Sequence, residues 1–188
     1  GTPGFAVPAL NALANSSHDV VGVVTQPDRQ KGRGKKTSSP PIKKAALEHD
    51  IPVFKPEDIN TPEALAKLTE WTPDAIVVTA YGQILSPDIL ELPPHGCINI
   101  HASLLPKYRG AAPINWAIIN GETETGISIM KMDEGMDTGP VFERQRIEIA
   151  EDTTAQQLHD QLAELGAQMI PDSLTKIANG DLEATPQD

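Results

Sequence analysis

Cys97-Ile98-Asn99-Ile100-His101-Ala102-Ser103-Leu104-Leu105-Pro106 is the stretch on which the fold turns. Its first four residues read as a buried strand that ends in polar side chains. In open α/β sheets, ligands collect at the carboxyl ends of the strands. Asn99 and His101 stand two apart, so on an extended chain both project from one face. A carboxamide and an imidazole are thereby aimed at the same place. Further on, Met132 to Pro140 reads as a Gly-flanked turn that contains Asp137. A carboxylate beside an imidazole can hold its tautomer and favour its charged form. Taken singly, a histidine at a strand end is more often a hydrogen-bonded loop residue, and an aspartate near glycine is usually turn chemistry. Spacing alone does not choose between a site and a turn.

The neighbouring sequence supplies the frame. Ala75 to Thr79 is a continuous apolar run, as in a strand covered on both faces, with Tyr81-Gly82-Gln83-Ile84-Leu85 at its carboxyl end. Val20 to Thr25 is a β-branched strand and Pro52 to Phe54 a short one. Helices are predicted over Phe5 to Leu13, Ile42 to His49 behind Pro41, and Thr61-Pro62 to about Glu70, where Thr61 is the cap. A short helix starts at Ser86-Pro87, and another runs from Ala112 to Asn120 with Gly121 as its stop. Thr125 to Met132 and Val141 to Ile149 read as strands joined by the Asp133–Gly139 turn. In the second, Phe142, Arg144 and Arg146 alternate only imperfectly with Val141, Glu143 and Ile147, which leaves its sidedness open. Thr153 or Thr154 caps a last helix carrying Leu158, Leu162 and Leu165. Gly166 and Pro171 are expected to break or kink it, and a second helical piece ends before Asn179-Gly180.

This order predicts an α/β fold. It is a three-layer, Rossmann-like arrangement with a mainly parallel sheet, right-handed crossovers and a late antiparallel hairpin. Residues 1–180 form the domain and 181–188 a tail or linker. Gly1-Thr2-Pro3-Gly4 has the form of a strand-to-helix turn with no strand before it, so the first strand is expected to be missing.

Composition narrows the function classes. At 188 residues, one domain with a real core is expected. No run approaches about 18 apolar residues, so no membrane span is predicted, and no signal peptide is visible at Gly1. The single cysteine, Cys97, excludes an internal disulfide and fits a reducing compartment. In an apolar strand it reads as a core thiol. The net charge of −11 argues against indiscriminate nucleic-acid binding. Against that background Arg29, Lys31, Arg33, Lys35, Lys36, Lys43 and Lys44 cluster with no acidic residue among them, and Gln26 to Pro41 reads as a loop by composition. His18, His49, His95 and His159 read as surface residues. Trp71, Trp116 and Tyr81 are too sparse for a base-stacking platform, and no zinc spacing occurs.

Three pieces together carry a resemblance: Asn99-x-His101; Ser103-Leu104-Leu105-Pro106-Lys107-Tyr108-Arg109-Gly110; and Gly126 to Gly139, including Met132-Asp133-Glu134-Gly135-Met136-Asp137-Thr138-Gly139. The whole resembles the folate-dependent formyltransferases over nearly the full chain. Within that group it is most similar to the methionyl-tRNA formyltransferases. The residues are Gly1-Thr2-Pro3-x-Phe5-Ala6, Thr25-Gln26-Pro27-Asp28-Arg29-x-x-Gly32-Arg33-Gly34-Lys35-Lys36, and Arg109 to Ile114. Two departures are small: Gly4 where an acidic residue is usual, and Ala102 where glycine is frequent.

The resemblance implies a trio, Asn99, His101 and Asp137, that moves a formyl group from 10-formyltetrahydrofolate to the amino group of initiator methionyl-tRNA for translation initiation. It implies acyl transfer with no covalent enzyme intermediate and no metal. Tyr81, Gly82, Gln83, Ile84, Leu85, Ser103, Leu104, Leu105, Pro106, Asp133, Glu134, Gly135 and Met136 are expected to line the folate pocket. Arg29, Lys31, Arg33, Lys35 and Lys36 are expected to contact the tRNA. A C-terminal barrel domain that helps to grip tRNA follows a linker in that family and lies outside this sequence. A monomer is expected, cytoplasmic in bacteria or else organellar. The competing readings are another amine acceptor (glycinamide ribonucleotide or an aminosugar nucleotide) and a non-catalytic RNA-binding module that uses the basic segment alone.

Overall fold

The computed structural model describes residues 1, 3–31 and 36–188, with side chains described outside 29–38. A 3-10 turn, Gly4–Ala6, runs into helix α1, Val7–Ala14. Strand β1 is Val23–Val24. Strands β2, Arg29–Lys31, and β3, Lys36–Ser38, pair antiparallel. Helix α2, Pro41–Glu48, leads to β4, Val53–Phe54, which pairs in parallel with β1. Helix α3, Pro62–Trp71, starts at its predicted cap, where Thr61 Oγ1 accepts the Ala64 N–H at 3.2 Å. Then come β5, Ile76–Val78; α4, Pro87–Leu90; β6, Cys97–His101; α5, Pro113–Ile119; β7, Glu124–Lys131; β8, Val141–Glu148; and α6, Ala155–Asn179.

Strands β5, β6, β7 and β8 lie side by side in that order. The β5/β6 pair is parallel, and β7 runs antiparallel to both of its neighbours. Two apolar layers cover this sheet. On one face Ile98, Ile100, Ile127 and Ile129 meet Phe5 and Ala9 near the start of the chain, Ala117 of α5, and Leu158, Leu162 and Ile170 of α6. On the other, Val78 and Cys97 meet Ala64 and Leu68 of α3 and Ile89 of α4. This is the three-layer α/β arrangement, and Asn99 and His101 share the second face with Cys97. Between β1 and β5 runs a cavity of about 600 Å³, lined by Val23, Val24, Ile76 and Val78 among others. Among the described residues no helix is long and apolar enough to cross a membrane.

Two expectations are corrected, and one open point is settled. First, the basic segment is not all loop: Arg29, Gln30 and Lys31 pair with Ser38, Thr37 and Lys36. A ladder is made by the backbone, so composition does not register it. Gly32, Arg33, Gly34, Lys35 and Thr2 lie outside the described residues, and of Arg29, Lys31 and Lys36 only the backbone is described. Second, Gly166 and Pro171 do not divide the last helix, which is continuous through both. An interior proline costs about 3 kcal/mol. Leu158, Leu162 and Ile170 are fully buried, and burial of each contributes roughly 1.5–3 kcal/mol, which outweighs that cost. Gly166 is a packing residue: a Cβ there would stand 2.7 Å from Ile100 Cγ2. Third, the imperfect alternation in β8 has a physical cause. Ile129 pairs with Glu143 but Met130 pairs with Val141, so Phe142 is the extra residue of a bulge.

Candidate active site

Strand β6 delivers two side chains to one spot. Across the strand pair Asn99 stands opposite Met130 and His101 opposite Ser128. The Asp133–Gly139 turn, which links β7 to β8, brings Asp137 over them. Asn99 Nδ2 donates to Asp137 Oδ1 at 3.2 Å. Asp137 Oδ2 accepts the Gly110 N–H at 2.8 Å and lies 3.6 Å from His101 Nδ1. The structure therefore brings all three predicted residues together.

His101 Nε2 lies 2.9 Å from the Tyr108 carbonyl. A carbonyl only accepts, so Nε2 carries a proton. Nδ1 is then the ring atom that faces the carboxylate, at a separation too long for a hydrogen bond. Both side chains are largely withdrawn from water, His101 at 7% and Asp137 at 16% exposure. Desolvation of this kind strengthens charge interactions at the site.

The loop that holds His101 is braced from the turn that follows α5. Tyr108 donates its hydroxyl to Glu122 Oε1 at 2.6 Å and accepts from Asn120 Nδ2 at 2.8 Å. Lys107 Nζ lies 2.9 and 3.0 Å from the same carboxylate. The Tyr108 hydroxyl, and then Lys107, hold the Glu122 carboxyl below its ordinary range.

The residues expected around folate divide into two sets. In the turn, Asp133 Oδ1 accepts the Gly135 N–H at 3.0 Å and the Thr138 hydroxyl at 2.8 Å. Glu134 and Gly135 are exposed, and Met136 is 66% exposed. Tyr81 and Leu85 are buried in one cluster with Val78 and Cys97, and Met132 packs on it. That contact sets the 81–85 turn beside the start of the Asp133 turn. Gly82 takes a positive φ of +84°, and Ile84 is 78% exposed.

In the other set Gln83, Ser103 and Leu105 are engaged in structure. Gln83 Oε1 accepts the Ile59 N–H at 2.9 Å, and its Nε2 donates to the Glu57 carbonyl at 3.1 Å. Ser103 Oγ donates to the Lys107 carbonyl at 2.5 Å. Leu105 is buried against Met130 and Val141, and its carbonyl accepts from Arg144 Nε at 2.8 Å. Leu104 is half-buried, and Pro106 is exposed. Cys97 is inert, as predicted: burial pushes its thiol up to about 12, so it stays protonated.

At the base of the basic hairpin Lys43 and Lys55 both meet Asp28 Oδ2, at 3.1 and 2.7 Å. Their hydrogen bonds, Lys55 first, hold the Asp28 carboxyl low. Lys43 is thus committed to an internal pair.

Sequence reasoning missed one residue altogether. Gln187 Nε2 donates to the carbonyls of Asp137 and Gly139 at 2.8 and 2.7 Å, and its Oε1 accepts from Arg109 Nε at 3.0 Å. The tail shows no periodicity that could have singled it out.

The family model for formyl transferase matches residues 1–174. The chain belongs to the formyl transferase family. Among curated relatives, the methionyl-tRNA formyltransferase of Geobacter metallireducens is 55% identical over 188 residues, all of this chain and 60% of the relative. That of Caldanaerobacter subterraneus subsp. tengcongensis is 57% identical over 183 residues, 97% of this chain and 59% of the relative. The chain therefore spans about 60% of the length of these formyltransferases. Among solved structures, the phosphoribosylglycinamide formyltransferase of Bacillus halodurans superposes with a TM-score of 0.76 at 26% identity, covering 94% of this chain and 92% of that one. An N-formyltransferase of Helicobacter canadensis, solved with folinic acid and dTDP-3-aminofucose, has a TM-score of 0.73 at 22% identity. It covers all of this chain and 65% of its own, and it shows the fold alone.

Proposed function

We propose that the whole protein transfers the formyl group of 10-formyltetrahydrofolate to the α-amine of initiator methionyl-tRNA. The observation that carries this reading is the meeting of Asn99, His101 and Asp137 at the end of β6. The names of relatives above 50% identity point to the acceptor.

The amine nitrogen attacks the formyl carbon, and the carbonyl π pair moves onto oxygen. The second N–H of Asn99 Nδ2 and the Nδ1–H of His101, whose ring acts here in its doubly protonated form with Nε2–H on the Tyr108 carbonyl, are the donors for that oxyanion. A preorganised donor of this type contributes about 3–4 kcal/mol. Asp137 faces both donors and takes up the amine proton, directly or through water. Collapse of the tetrahedral centre breaks the bond to N10 of folate, which receives the proton. The products are formylmethionyl-tRNA and tetrahydrofolate.

The test offers the intact protein charged initiator tRNA and glycinamide ribonucleotide side by side. Formylation of the tRNA at far higher kcat/KM is expected, and preference for the ribonucleotide would replace the acceptor assigned here.

The basic segment 29–36 is the proposed tRNA contact, through Arg29, Lys31, Arg33, Lys35 and Lys36. Affinity for phosphates falls with salt by about 0.7–0.9 log units per log unit of salt for each neutralised phosphate. A variant combining Arg33→Ala, Lys35→Ala and Lys36→Ala is expected to lose efficiency on charged tRNA. Its salt slope should flatten by about 2–3, with folate affinity unchanged. Wild-type efficiency and slope in the triple variant would exclude the basic segment as the contact.

A further inference from the structure

We propose that Gln187 is a positioning residue for the reaction, a clamp carried by the tail that holds Asp137 in place over Asn99 and His101. The proposal rests on the formyl-transfer reading of the site.

Asp137 has φ +54°, a left-handed conformation in a residue other than glycine. Such a backbone persists only where its surroundings determine it. The carbonyls of Asp137 and Gly139 turn toward a single amide group, Gln187 Nε2, at 2.8 and 2.7 Å. Both amide hydrogens are used there. The amide orientation is fixed by its partners: a reversed amide would set its oxygen against two carbonyl oxygens.

The other end of the same side chain reaches the opposite loop. Gln187 Oε1 accepts from Arg109 Nε at 3.0 Å. The residues on either side of Arg109 serve the site directly. Tyr108 offers its carbonyl to His101 Nε2, and Gly110 donates its N–H to Asp137 Oδ2. One glutamine therefore spans the loop that carries the carboxylate and the loop that orients the imidazole. Its own position is set two residues earlier, where Thr185 and Val141 exchange backbone hydrogen bonds of 2.8 and 2.9 Å at the start of β8.

A residue that merely fastened the tail would need only one of these contacts. The isosteric change Gln187→Glu separates the two roles. It keeps the size of the side chain and an acceptor for Arg109, but it removes both donors to the turn. An ångström of displacement at a reacting group can cost up to about 100-fold in rate. In the intact protein, Gln187→Ala and Gln187→Glu are each expected to lower kcat about 10-fold, with KM for tRNA and for folate within about 3-fold of wild type.

The second readout needs no substrate. Hydrogen exchange at the Gly110 amide, which donates to Asp137, should quicken in both variants, while the Ile100 and Ile129 amides in the sheet keep their protection. Wild-type kcat in Gln187→Glu, or wild-type Gly110 protection in both variants, would overturn the clamp. Failure of the wild-type protein to formylate any amine would instead overturn the functional reading, and the exchange experiment would still decide whether the clamp exists.

Discussion

Replacing His101, Asn99 or Asp137 by alanine in the intact protein is expected to lower kcat at least ~100-fold in each case. The three changes remove different things. Asn99→Ala takes away an oxyanion donor on β6. His101→Ala takes away the second donor and frees the Tyr108 carbonyl. Asp137→Ala removes the group that Asn99 Nδ2 and the Gly110 N–H both bond. Because the three act as one unit, their losses should not add. The double variant His101→Ala with Asp137→Ala is expected to be little slower than the worse single variant. The comparison is kcat and KM for all four proteins, with thermal melting to confirm folding. Near-normal turnover in any folded single variant would remove that residue from the mechanism, and full additivity would mean that His101 and Asp137 act separately.

The parts of this site that could be read from the sequence are those set by local rules. Alternation along Cys97 to His101 places Asn99 and His101 on one face, and the strand pairing bears this out. The partnership with Asp137, 36 residues beyond His101, is a tertiary contact. In the sequence only the length and specificity of the surrounding motif carry it.

What could not be read has a common cause. The β2/β3 hairpin is held by backbone groups that are alike in every residue. The continuity of α6 through Pro171 depends on what lies beneath Leu158, Leu162 and Ile170. His18, half-buried, lies 2.8 Å from the Pro171 carbonyl through Nε2. His49 meets Asn11 Oδ1 at 3.0 Å. Gln187 reaches Asp137 across 50 residues of sequence. Contacts of that range leave no periodicity in the chain.

The second large effect is expected at Gly139, where the turn carrying Asp137 rejoins the sheet. Its carbonyl accepts from Gln187, and the next residue, Pro140, accepts the Lys131 N–H at 2.9 Å. A Cβ on Gly139 would stand 1.9 Å from the Lys131 carbonyl oxygen and 3.0 Å from its carbon. Both atoms are backbone, so no side-chain rotation relieves the contact. Gly139→Ala must therefore force the turn away from the end of β7. Overpacking of this kind costs typically about 1–3 kcal/mol, which in a domain of this size lowers Tm by roughly 2–12 °C. The larger consequence falls on chemistry. Asp137 is two residues away, and a shift of about 1 Å there is expected to cost roughly 100-fold in kcat. Gly4→Ala is the control, because a Cβ at Gly4 meets nothing within 4 Å. Melting curves and turnover of the two variants in the intact protein give the comparison. Wild-type Tm and turnover in Gly139→Ala would mean that the turn does not take this path past Lys131. A lowered Tm with unchanged kcat would mean that Asp137 is held independently of the point where its turn rejoins the sheet.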